Sequence, residues 1–94
     1  MNNKRRQAIR QVINLLKSKD PDRESIADTL QDLLYDEEDV RDNYPESLQD
    51  TETYSVMEES CEYLEEAIDE LNNMDDDDSD YDSVIDILES IDGV

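Results

Sequence analysis

Histidine, tryptophan and phenylalanine are absent from this chain of 94 residues, and cysteine and glycine occur once each. Without histidine there can be no Ser-His-Asp triad, no Cys-His pair and no His-bearing zinc site. The single Gly93 rules out a glycine-rich phosphate loop. Cys61 cannot form an internal disulfide, so an intracellular protein is expected. Long apolar runs are missing as well: the longest is Leu33-Leu34-Tyr35, far too short to cross a bilayer. The basic start at Lys4, Arg5 and Arg6 is broken by Arg10, Asn14 and Lys17, unlike a signal peptide. Leu, Ile and Val supply 21 of 94 residues, just above the level at which high charge predicts disorder. The length suits one domain at most.

Acid is what the chain has in abundance, with 29 Asp and Glu against 8 Lys and Arg and a net charge of −21. The distribution is uneven. Residues 1–23 hold seven of the cations and two acids, whereas residues 24–94 hold 27 acids and only Arg41. Such a basic segment either binds nucleic acid or neutralises acidic neighbours of its own chain. With so few cations to share, the second reading is favoured. An acidic surface of this kind is repelled by anionic membranes, and no membrane contact is expected.

Apolar spacing divides the chain into four helices, expected near residues 4–19, 21–43, 51–73 and 80–92. Ile9, Val12, Ile13 and Leu16 mark one face of the first. Asp20-Pro21 reads as an N-cap with proline at the first helical position, opening a second helix or a kinked continuation of the first. The face of that second helix is Ile26, Leu30, Leu33, Leu34 and Val40, and it should stop before Pro45. The connection from Pro45 to Thr51 has room for one turn and a cap at Asp50 or Thr51. Tyr54, Met57, Cys61, Leu64, Ile68 and Leu71 then form a nearly unbroken coiled-coil-like seam. On that seam Cys61 reads as a small buried hydrophobe rather than a reactive thiol, and Tyr54 and Tyr81 as seam residues with hydroxyls at the edge. The four aspartates from Asp75 to Asp78 break the helix. Asp78 or Ser79 caps the last one, whose face is Tyr81, Val84, Ile85, Leu88 and Ile91, with Gly93 as its terminal glycine. No helix can bury its stripe alone. The fold class is therefore all-α, an antiparallel helical hairpin or a small three- to four-helix bundle.

The segment PESLQDTETYSVMEESCEYLEEAIDEL, from Pro45 to Leu71, together with NKRRQAI from Asn3, resembles a group of short acidic helical proteins of phages and prophages of Gram-positive bacteria. The resemblance covers about half the chain and implies a helical fold and a cytoplasmic setting in a bacterial host. It implies no activity. The Asp20-Pro21 break and the aspartate run depart from the pattern of that group.

Three kinds of chemistry are open to so many carboxylates. Asp78, Asp80, Asp82, Asp86 and Glu89 fit the acidic positions of an EF-hand calcium loop, but Ser83 stands where the turn needs glycine, and few residues remain for an exiting helix. Acidic spacing of this kind arises readily by chance here, so no metal and no other cofactor is expected. A catalytic carboxylate pair needs a desolvated cleft, for which this chain looks too short and too poor in large apolar residues; no enzyme is expected. The third is the acidic surface itself. Glu58, Glu59, Glu62, Glu65, Glu66, Asp69 and Glu70 fall outside the seam, at spacings that put carboxylates about 5–6 Å apart at Cβ, with Asp75, Asp76, Asp77 and Asp78 in support. Residues 42–94 hold no cation, and a one-sign face can enter a basic groove built for nucleic acid.

The expected function is accordingly a DNA-mimic inhibitor of a basic nucleic-acid-binding host protein, itself binding no nucleic acid. In size and charge the chain looks like the phage inhibitors of restriction enzymes, CRISPR nucleases and uracil glycosylase, an anti-CRISPR or anti-restriction character. The alternative is a helical adaptor or structural phage protein working through its apolar seam, including as a homodimer. Parallel in-register pairing would bring Glu58 and Glu65 against like charges, which favours an antiparallel arrangement.

Overall fold

The structure, a computed structural model, describes residues 2–75, 77–78, 80–91 and 93–94. Among them are four α-helices and no strand: α1 (Asn3–Leu16), α2 (Arg23–Asp42), α3 (Glu52–Asn72) and α4 (Asp82–Glu89), with one 3-10 turn at Glu46–Leu48. α2 and α3 form a long antiparallel hairpin, against which α1 and α4 pack side by side. Each of the two long helices runs about 30 Å. In a body of 47 × 21 × 18 Å they fit only along its long dimension.

The apolar stripes meet in one core. Ile9, Val12, Ile13 and Leu16 from α1 join Ile26, Leu30, Leu33 and Leu34 from α2, and Leu64, Ile68 and Leu71 from α3. Val84, Ile85, Leu88 and Ile91 close it from the α4 side, and Cys61 lies inside. Tyr54 is half-buried, its ring centre 5.9 Å from that of Tyr44.

Local chemistry sets the boundaries. Asn2 caps α1 by accepting the Arg5 N–H, and Thr51 caps α3 by accepting that of Tyr54. α2 starts later than the sequence suggests. Asp22, not Asp20, is the cap, its side chain accepting the Ser25 N–H at 3.2 Å. α1 ends at Leu16, and the chain must reverse fully before α2 can pack beside it. The connection therefore runs from Lys17 to Asp22, and a kinked continuation would leave the α1 stripe uncovered.

The last helix is also shorter than 80–92. Asp78 and Asp80 accept the backbone N–H groups of Asp80 and Asp82, at 3.0 and 3.1 Å. These side-chain turns compete with helical geometry and delay its start to Asp82. Tyr81 stands at the cap position without a side-chain cap bond, in place of Asp78; Ser79 lies outside the described residues. Gly93 has φ +81, the conformation expected of a terminal glycine, but it lies beyond the helix end at Glu89.

On α2, Val40 is 39 % exposed rather than buried, and Glu37 is fully buried instead. α1 begins opposite Glu37, where Arg5 reaches it, and Val40 lies nearly one turn beyond that contact.

Candidate functional site, an unpaired acidic face

Every carboxylate that the sequence places outside the α3 seam is on the surface. Glu58, Glu59, Glu62, Glu65, Glu66, Asp69 and Glu70 are all exposed, and the helix repeat gathers them on the side opposite Cys61, Leu64, Ile68 and Leu71. Among the described residues no cation lies within ion-pair distance of any of them. Asp75, Asp77 and Asp78 are exposed beyond the end of the same helix. Asp76 lies outside the described residues.

Six of the eight cations are engaged elsewhere. Arg5 Nε is 2.9 Å from Glu37 Oε2, Lys17 Nζ is 3.5 Å from Glu89 Oε1, and Arg41 contacts Glu38 and Asp42. Arg10 donates to the Gly93 carbonyl, and Arg6 lies directly against Gly93. The basic first helix thus makes its contacts within its own chain. Its three cations in the first turn oppose the helix dipole; tertiary pairing offsets that cost.

Arg23 does the corresponding work at the other end. Its guanidinium donates to the carbonyls of Met74 and Asp75, at 3.2 and 2.9 Å, and to that of Asp78 at 2.6 Å. It also lies 5.6 Å from the centre of the Tyr81 ring. Composition gives no sign of this clamp, which places a cation beside the negative end of α3 and holds the aspartate-rich connection in place.

That end of the molecule has an open cleft of about 690 Å³, bounded by Lys19, Arg23, Asp28, Met74, Asp78 and Tyr81 among others. The sequence reading expects no cleft of this size. It forms where the two inter-helix connections meet the first turns of α2 and the end of α3.

For the calcium pattern, Asp82, Asp86 and Glu89 lie on or at the end of the α4 helix, with Asp78 and Asp80 in the turns before it. No three His, Cys, Asp or Glu side chains of the described residues converge to hold a metal ion.

Cys61 is 3 % exposed, and its thiol is pushed up to about 11, chiefly by burial. Arg41 pulls the other way, while Glu37, Glu38 and Asp42 add to the rise. A thiol so disposed is a packing residue.

A second acidic surface lies on α2. Asp28, Asp32, Asp36 and Asp39 are all exposed and recur at helical steps along one side. Tyr35, 62 % exposed, stands among them.

No helix of the described residues is long and apolar enough to cross a membrane. Compared with known proteins, the chain matches no family model, no curated protein and no solved structure.

Proposed function

We propose that this protein is a non-enzymatic DNA-mimic inhibitor that occupies the nucleic-acid-binding groove of a basic host protein without itself binding nucleic acid. The observation that carries this reading is the outward face of α3, whose seven exposed carboxylates have no cation within ion-pair reach among the described residues. From Glu58 to Glu70 the helix rises about 18 Å, roughly one negative charge per 3 Å. Duplex DNA carries about one per 1.7 Å with both strands counted, or one per 3.4 Å along a single strand. The face therefore falls within the range of charge density that a DNA-binding groove accommodates.

Stability alone gives no reason for this arrangement. Asp69 and Glu70 sit in the last turns of α3, where negative charge opposes the helix dipole by about 0.3–1 kcal/mol each, and like charges three or four residues apart repel. A groove lined with lysine and arginine would reverse the sign of those terms and release the counterions that DNA releases. The likeness of Pro45–Leu71 to acidic phage proteins fits a target in a bacterial cytoplasm, such as a CRISPR nuclease or a restriction enzyme.

The seam offers less to a partner. Met57, Cys61, Leu64, Ile68 and Leu71 are between 0 and 7 % exposed, so an adaptor or a homodimer using them would have to open the core.

Competition tests the proposal. A DNA-binding protein captured from bacterial lysate at low salt should lose labelled duplex when this protein is added. Exchange of Glu62→Lys together with Glu66→Lys should weaken that displacement by at least about 2 kcal/mol. Inhibition that survives the exchange, or a target that holds inhibitor and DNA together, would defeat the reading.

A further inference from the structure

We infer that the outward face of α2 around Tyr35 docks an arginine of the basic partner, its guanidinium stacking on the tyrosine ring while its N–H fork reaches the Asp32 carboxylate. The inference rests on the proposed function, in which this acidic surface meets a basic protein. It adds which cation is preferred and where it is read.

Tyr35 is the most exposed large apolar side chain among the described residues, at 62 %, and the core makes no use of it. Side chains on a helix lean toward its N-terminus, so the ring lies over the turn that carries Asp32, with Asp28 one turn further on. Both carboxylates are exposed, and neither has a cation within ion-pair distance among the described residues. An aromatic face beside an open carboxylate suits a planar cation that can stack and donate at the same time. Arginine meets that description; the compact ammonium of lysine does not.

The chain contains a related contact, with carbonyls in place of the carboxylate. Arg23 lies over the Tyr81 ring while its nitrogens donate to carbonyl oxygens. Tyr81 is buried and its arginine comes from the chain itself, whereas at Tyr35 the arginine would have to come from outside. Charge complementarity chooses that occupant, because a second copy of this chain would bring −21 against −21.

The full-length protein should be titrated with a labelled arginine nonamer and a lysine nonamer at equal ionic strength. Wild type should bind the arginine peptide more tightly. Tyr35→Ala should weaken arginine-peptide binding about two- to five-fold and leave lysine-peptide binding nearly unchanged, with helicity checked by circular dichroism. Tyr35→Phe should retain the preference, and Asp32→Asn should reduce it. Equal affinity of wild type for the two peptides, or equal weakening of both by Tyr35→Ala, would overturn the inference. Loss of the arginine preference alongside intact displacement of DNA would sink this inference alone. A preserved preference in a protein that displaces DNA from no target would instead remove the proposed function.

Discussion

Arg5 of α1 and Glu37 of α2 meet at 2.9 Å, with the glutamate side chain wholly buried and the arginine side chain 16 % exposed. This contact pins the start of α1 to the later part of α2 and fixes how far α1 covers the hairpin. Removing Arg5 takes a charge-assisted hydrogen bond away from a buried carboxylate, so Arg5→Leu should lower the unfolding free energy by about 1.5–3 kcal/mol. The double replacement Arg5→Leu with Glu37→Leu should recover most of that loss. Urea unfolding of both variants measures it, and a double variant no more stable than the single one would show that the lost bond to the buried carboxylate is not the cause.

Arg23 binds the three carbonyls that follow α3 and stacks on Tyr81. Lysine at this position keeps the charge but loses the planar fork. Arg23→Lys should therefore cost about 1–2 kcal/mol. It should also speed hydrogen exchange at the Asp78, Asp80 and Asp82 amides more than at core amides such as Leu64. Uniform acceleration across both groups would mean that the clamp stabilises the whole fold rather than this connection.

The helices were legible because period 3.6 writes a buried stripe directly into sequence. Ile9 to Leu16 and Met57 to Leu71 could be placed without any knowledge of their neighbours. What stayed hidden depends on where one helix stops alongside another. Val40 continues the α2 pattern but lies beyond the start of α1, whereas Glu37 breaks the pattern and is buried because Arg5 reaches it. The apolar pattern likewise does not distinguish Asp20 from Asp22 as a cap, since both precede the stripe; it is Asp22 that accepts the Ser25 N–H. The α3 acids could be read because they avoid the seam. The α2 row with Tyr35 is harder to see, because the run Asp36-Glu37-Glu38-Asp39 mixes exposed acids with the buried Glu37 and so does not mark a single face.

Cys61 provides a pH probe of the core. Its thiol is raised from the ordinary 9.0 to about 11, mainly by burial. Below pH about 9 the thiol is protonated in both folded and unfolded chains, and its contribution to stability is fully present. Between pH about 9 and about 11 the unfolded thiol ionises while the folded one resists, so stability falls as pH rises. Cys61→Ala should flatten that part of the stability profile. At pH about 8 a disulfide reagent should label the native protein slowly and the urea-unfolded protein quickly. Fast labelling of the native state would contradict the burial.

Salt separates the two electrostatic contributions that the fold contains. Screening weakens exposed interactions most, and the exposed interactions here are chiefly repulsions among the acids of α2 and α3, opposed by the half-exposed Lys17–Glu89 pair. The Arg5–Glu37 pair is sheltered. The melting temperature should therefore rise between about 20 mM and about 300 mM monovalent salt. A monotonic fall would make the ion pairs of α1 the dominant contribution instead. The same repulsion predicts that Glu62→Lys with Glu66→Lys melts higher than wild type at low salt, with the difference shrinking as salt is added. If that variant is more stable yet no longer displaces DNA, the acidic face is kept at the expense of stability for the sake of binding, as expected of a surface selected for its partner. A variant that melts no higher at low salt would leave the row without the stability cost on which the mimicry argument depends.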